Sequence, residues 1–246
     1  MDLNTLVRNR LIVGSTNTMI VEGYKLLRTH ILQKTWEEHR NVLMVTSPLP
    51  DDGKTLTAIN LAISMAQELD QTVLLVDADL RAPVIHKYFG LAAGPGLIDY
   101  FEGGKSIPEL LVHPQGLDKL VLLPGGRPTD WAAEFIRSAR RAELVAELKN
   151  FYPNRYVLID LPPMLSYADA LAFAPLADGI VLVVGARQTT REDLMRVREM
   201  LAEFPVLGYV FNKVDYLDGR IYYGKNYGSN GHPQKGWGRW LSKKQR

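Results

Sequence analysis

The 246-residue chain contains no cysteine. Disulfides and thiolate metal centres are therefore excluded, and the composition fits a reducing, cytoplasmic compartment. No uninterrupted apolar run approaches the ~18 residues of a membrane-spanning helix. The most apolar window, ALAFAPLADGIVLVVGA, is broken by Pro175 and Asp178. The opening MDLNTLVRNRLIVG lacks the apolar centre of a signal peptide. There is no internal repeat. Neither sign of charge dominates, at a net of +2, but the distribution is uneven. Residues 218–246 hold seven Lys/Arg and one acid, which leaves a mildly acidic body and a strongly basic tail. No nucleic-acid partner is expected.

What is present is a rhythm of short apolar runs. NVLMVTS (41–47), TVLLVDA (72–78), KLVLLPG (119–125), YVLIDLP (156–162), GIVLVVG (179–185) and VLGYVFN (206–212) read as buried strands. Helices are expected over 55–69, 131–150 and 189–203. In the last, Leu194, Val197 and Leu201 form a core-facing stripe. The alternation predicts an α/β fold, with a mostly parallel twisted sheet and helices on both faces. Ligands of such sheets bind beyond the carboxyl ends of the strands. Three segments are expected: a helical arm over 1–40, a nucleotide-binding domain over 41–217, and a flexible tail over 218–246.

One further absence is local. TSPLPDDGKTLTAINLA ends like a phosphate loop, in Gly53-Lys54-Thr55, but Pro48 stands where the usual pattern has its first glycine. The loop also carries Asp51 and Asp52. Unit charges ~6 Å apart at an effective dielectric near 20 interact by roughly 3 kcal/mol, so carboxylates facing a phosphate would oppose binding. Both are expected to turn to solvent and present only amides, with Asp51 in a left-handed conformation that aspartate tolerates. The amides from Asp52 through Leu56, with Lys54, would then hold the phosphates, and Thr55 a Mg²⁺ ion. Two more strands end in acids: LLVDADLRAP in Asp77 and Asp79, and YVLIDLPP in Asp160. Acids from separate strands converging beside a phosphate loop suit metal-assisted phosphoryl transfer.

At these residues the chain resembles the bacterial tyrosine kinases, P-loop enzymes of the partitioning-ATPase-like group. Their Walker A loop ends in G-K-[ST], their Walker A′ motif is D-x-D-x-R (Asp77, Asp79, Arg81), and their Walker B strand ends in D-x-P-P (Asp160, Pro162, Pro163). PGLIDYFEGG and LLPGGRPTDWAAEFIRS resemble further family segments, with Ala132 replacing a proline. EGYKLLRTHI resembles the E-x-x-R-x-x-R oligomerisation motif, with Glu22, Lys25 and Arg28 on one helix face and lysine replacing the first arginine.

The resemblance implies an ATP- and Mg²⁺-dependent tyrosine autokinase of the stand-alone type found with exopolysaccharide and exosortase loci. It implies homo-oligomers and activation by a membrane chain-length or co-polymerase protein. Lys54 would hold the β/γ phosphates, and Thr55, Asp79 and Asp160 the metal. Asp77 would take the proton of the acceptor hydroxyl, though the sequence leaves the order of Asp77 and Asp79 open. Tyr222, Tyr223 and Tyr227 cluster after the last strand as autophosphorylation sites.

Two other readings compete. Asn212-Lys213-Val214-Asp215 matches the guanine-reading N-K-x-D pattern, but a GTPase needs a glycine amide after its Walker B strand, and Pro162-Pro163 cannot supply it. Asn212 is expected near the base, as an adenine contact. A partitioning or septum-positioning ATPase carries a signature lysine in its loop, where this chain has Leu49. A catalytically weak nucleotide-binding regulator is the remaining alternative. Finally, GWGRWLSKKQR places Trp237 and Trp240 one helical turn apart among basic residues. That pattern suits peripheral contact with an anionic membrane.

Overall fold

A computed structural model describes residues 3–36, 40–67, 72–150 and 155–214. Six strands form one sheet: β1 Val42–Thr46, β2 Thr72–Asp77, β3 Leu120–Leu123, β4 Arg155–Asp160, β5 Gly179–Gly185 and β6 Val206–Asn212. Their order across the sheet is β3-β2-β4-β1-β5-β6, and all pairs are parallel. Each strand matches a predicted apolar run to within two residues at either end. Pro124 and Gly125 after β3 and Pro162 after β4 lie outside the ladder, as proline and glycine do at strand ends.

Within each strand, alternate side chains enter opposite cores. Val42, Met44, Leu74, Val76, Val157 and Ile159 face one core. Leu43, Val45, Val73, Leu75 and Leu158 face the other. Helices cover both faces. In chain order they are α1 Leu3–Arg8, α2 Thr18–Thr35, α3 Lys54–Ala66, α4 Ile85–Tyr88, α5 Leu97–Phe101, α6 Ile107–Leu110, α7 Ala132–Arg137, α8 Ala139–Asn150, α9 Asp169–Phe173 and α10 Arg191–Met200. The single helix predicted over 131–150 is two, because Ser138 between them is extended at φ −65°, ψ 158°. The stripe on α10 is a core face: Val197 and Leu201 are buried and Leu194 packs against them.

Residues 3–36 are integral to the second core, to which Leu6, Leu11, Ile12 and Ile31 contribute buried side chains. No helix among the described residues is long and apolar enough to cross a membrane.

Strand order positions the site. β1 lies at the centre, with β4 and β2 on one side and β5 and β6 on the other. From β1 the chain passes to β2 on one side, whereas from the adjacent β5 it passes to β6 on the other, and the crevice at such a switch point is where α/β sheets bind ligands. The segment Ser47–Gly53, leading into α3, stands there.

Candidate active site

Four braces replace the missing glycine at the head of the loop. Asp51 has φ 60° and is exposed, so its carboxylate faces solvent as expected. Asp52 does not. It is fully buried, and its carboxylate accepts hydrogen bonds from the Leu49 amide (3.0 Å), the Gly185 amide (3.1 Å) and the Thr189 hydroxyl (2.7 Å). The physical reason is satisfaction: three donors make a buried carboxylate tenable, and they turn its charge away from the phosphate position. Gln188 donates to the Pro50 carbonyl and Asn212 to the Asp52 carbonyl (2.9 Å). The loop is thus clamped from the segments that follow β5 and β6.

Glycine survives where contact demands it. Gly53 has φ 94°, and a Cβ there would lie 2.0 Å from the Asn212 side-chain nitrogen. At Gly185 a Cβ would lie 2.4 Å from an Asp52 carboxylate oxygen. Gly53 is also the N-cap of α3, with no side-chain cap. The first amides of that helix therefore remain available to an anion, at the positive end of the helix dipole.

The three predicted acids and the lysine come together. Asp77 and Asp160 are register partners on β2 and β4, both fully buried. Lys54 Nζ lies 2.8 Å from Asp79 Oδ2 and 3.6 Å from Asp160 Oδ2, and the Thr55 hydroxyl donates to Asp160 Oδ2 at 2.6 Å. Burial disfavours the Lys54 ammonium, but Asp160 and Asp79 outweigh that and hold its pKa above the ordinary lysine value. Burial raises the pKa of Asp160, against the pull of Lys54 and Thr55.

Asp77 is pushed up to about 8, by burial first and by the Asp160 charge second. Its Oδ2 accepts the amides of Val84 and Ile85, both at 2.9 Å, while Oδ1 has no partner. The two Walker A′ acids therefore differ in surroundings: Asp79 pairs with the lysine, and Asp77 holds the start of α4. Arg81, the last member of that motif, bonds Asp169 at 2.9 Å and covers the Tyr167 ring at 4.6 Å, tying the β2 loop to the β4 loop.

This donor set fits a nucleotide phosphate with Mg²⁺. Asp160 Oδ1 is buried without a partner, and the Lys54 ammonium now satisfies the carboxylates a metal would meet. Among the described residues no group of three or more His, Cys, Asp or Glu is close enough to hold a metal by itself. Mg²⁺ commonly uses one or two carboxylates and completes its shell with water and phosphate.

Of the other sequence candidates, Leu56 lies in the first turn of α3. Asn212 is at the loop, where its amide bonds backbone. Glu22 and Lys25 pair with each other at 2.8 Å on the exposed face of α2, whereas Arg28 donates to the Ser64 carbonyl of the same chain. Tyr222, Tyr223, Tyr227, Trp237 and Trp240 lie outside the described residues. The sequence reading missed the braces Gly185, Gln188 and Thr189. Their only sequence signal is a polar GARQTT run after a buried strand.

Comparison with known proteins places this geometry. Residues 43–220 match the CobQ/CobB/MinD/ParA nucleotide binding domain. The tyrosine-protein kinase YwqD of Bacillus subtilis is 34% identical over 83% of this chain and 86% of its own length. EpsB of Ralstonia solanacearum is 32% identical over 88% of this chain, which spans only 29% of EpsB. The succinoglycan biosynthesis transport protein ExoP of Rhizobium meliloti is 32% identical over 84% of the chain and 26% of its own length. In structure, the kinase domain of the Escherichia coli tyrosine kinase Etk matches with a TM-score of 0.73 at 28% identity, over 85% of this chain and 80% of that one.

Proposed function

Because the chain belongs to the CobQ/CobB/MinD/ParA nucleotide-binding family and, within it, to the bacterial tyrosine kinases, we propose that it is an ATP-dependent protein-tyrosine autokinase. The observation that carries this reading is the union of Lys54, Thr55, Asp77, Asp79 and Asp160 at the phosphate loop. Phosphoryl transfer asks for positioning and charge neutralisation more than covalent chemistry.

Lys54 and the first amides of α3 hold the β and γ phosphates. Thr55, Asp79 and Asp160 hold Mg²⁺, which supplies neutralising charge to the transferring group when bound. Asp77 receives the proton of the acceptor tyrosine. Its Oδ1 is buried without a hydrogen-bond partner, so an acceptor position is left for the hydroxyl once the acceptor segment enters and exposes it. The phenol needs such help, since its own pKa is ~10. Asn212 contacts the adenine beside the loop it braces.

The acceptors are Tyr222, Tyr223 and Tyr227, reached in a neighbouring copy. Glu22, Lys25 and Arg28 contribute to that self-association. A membrane co-polymerase activates the kinase, which works at the inner face of the cell membrane in exopolysaccharide export; the name of ExoP supports that setting. Trp237, Trp240 and the basic tail add contact with anionic lipid. Incubation of the full chain with ATP and Mg²⁺, followed by phosphotyrosine detection, tests the reading. ATP turnover without phosphotyrosine would favour the partitioning type of ATPase instead.

A further inference from the structure

A cavity adjoins the site at Leu56, in the first turn of α3. It has a volume of about 470 Å³ and is lined by Arg8, Asn9, Arg10, Leu56, Val84, Lys87 and Tyr88. That is within the ~300–1,000 Å³ of small-ligand pockets. Three of its lining residues are cations, and none of the three forms a salt bridge with an acid among the described residues.

The cationic wall is held in a built turn. The Asn9 amide donates to the Lys87 and Tyr88 carbonyls, and Asn60 of α3 donates to the Arg10 carbonyl while accepting from the Ile12 amide. Arg10 itself stands at φ 62°. Left-handed backbone at an arginine is costly and persists where surroundings over-determine it. Leu56, Val84 and Tyr88 add an apolar and aromatic lining.

Position adds a constraint. Leu56 is in the first turn of α3, directly after the phosphate loop, and α4 follows the β2 acids. Burial raises the pKa of the Tyr88 phenol, which also feels the charges of Asp160, Lys54, Arg10 and Asp51, so this lining residue lies within electrostatic reach of the transfer centre. β2 and β6 lie on opposite sides of β1. A nucleotide with its base at Asn212 would therefore leave this cavity on the acceptor side.

A site with several cations, one aromatic wall and no paired acid suits a dianion carried on a ring. We propose that the cavity is a phosphotyrosine-binding subsite, which retains an already modified tyrosine of the acceptor segment while a neighbouring tyrosine enters the transfer centre. The proposal rests on the kinase reading. A phosphotyrosyl group carries about −1.5 to −2 charges and three strong acceptor oxygens. Arg8, Arg10 and Lys87 supply charge-assisted donors to them, and the ring stacks against Tyr88 and Leu56. Adjacent Tyr222 and Tyr223, with Tyr227 four residues on, form the kind of cluster such a subsite would serve.

The test measures binding without ATP. A fluorescent peptide of residues 219–230 phosphorylated at Tyr223 should bind the full chain at least tenfold more tightly than its unphosphorylated form. Substitution Arg8→Gln with Lys87→Gln touches only exposed side chains and should weaken that binding at least tenfold at unchanged Tm. MgADP, which fills the phosphate loop, should leave the peptide bound, and phenyl phosphate should displace it better than inorganic phosphate. An unrelated phosphotyrosyl peptide that binds equally well assigns the subsite to phosphotyrosine in general; weaker binding assigns it to this tail.

Equal affinity for both forms of the peptide, displacement by MgADP, or unchanged binding by the double variant would overturn the proposal. Because no turnover is involved, failure of the kinase reading shows separately, as absence of phosphotyrosine after incubation with ATP.

Discussion

At the residue scale, the oddity of the phosphate loop resolves into two aspartates with opposite tasks. Asp52 is a structural anchor. Asp52→Ala strands the Leu49 and Gly185 amides and the Thr189 hydroxyl, and losing partners of a buried carboxylate costs roughly 1.5–3 kcal/mol per charged interaction. Thermal denaturation should show a lower Tm, and nucleotide titration a weaker Kd. Gly185→Ala should do the same by forcing Asp52 aside. Asp51, exposed at φ 60°, only needs to tolerate its conformation. Asp51→Gly should preserve nucleotide affinity, while Asp51→Val should lose about 1–2 kcal/mol of stability; calorimetry on the pair reads the difference.

Asp77 yields a pH prediction. Its carboxyl is raised from the ordinary aspartate range to about 8 in the fold, so the folded state holds the proton more tightly than the unfolded chain. Its contribution to stability is complete below about pH 4 and declines as pH rises toward 8. Asp77→Asn keeps an acceptor for the Val84 and Ile85 amides and removes the charge. In chelator and without nucleotide, the variant's Tm should exceed that of the parent by several degrees at pH 9, and by less at pH 6. A constant offset would show that Asp77 does not titrate in this window.

The left-handed Asp51 was legible from the sequence because the loop pattern demands unusual angles and aspartate is one of the few residues to accept them. Burial of Asp52 was not legible. Its partners Thr189 and Gly185 are more than 130 residues away, and no local pattern announces them.

At the scale of elements, strands were the most readable parts. A strand buried on both faces must be continuously apolar, and all six runs reach the sheet, but the expected burial fails at β6: it is the edge strand, only part-buried, with Tyr209 and Phe211 exposed. The region 131–150 read as one helix because its residues favour helix throughout, but tertiary packing extends Ser138 and sets α7 and α8 apart. The face of α2 asks for a sharper test than its spacing first suggests. Arg28 is tied to Ser64, so its removal also disturbs the contact with α3. Glu22 and Lys25 are exposed and touch each other, and an exposed pair of this kind contributes at most about 1 kcal/mol. Glu22→Ala with Lys25→Ala should therefore leave Tm nearly unchanged while lowering the mass seen by light scattering in the presence of ATP and Mg²⁺. An unchanged mass would remove this pair from the self-association surface.

At the scale of the molecule, one parallel sheet brings residues from β1, β2 and β4 to a common edge, and the strands of the other half brace the loop from behind. Convergence of Asp77, Asp79 and Asp160 followed from each lying at the carboxyl end of a strand. The cationic cavity did not follow from sequence, because Arg8 and Lys87 meet only through the docking of the N-terminal turn on α4. The central claim is that this cluster moves a phosphoryl group from ATP to tyrosine. The direct measurement incubates the full chain and its Lys54→Met variant with γ-labelled ATP and Mg²⁺, then maps phosphate by mass spectrometry alongside a thermal melt. The account predicts phosphate on tyrosine in the parent chain, and at least ~100-fold less in Lys54→Met with the fold intact, the scale expected when a transition-state charge partner is removed. Equal phosphotyrosine in both proteins, or ATP hydrolysed by the parent with no tyrosine modified, would contradict it.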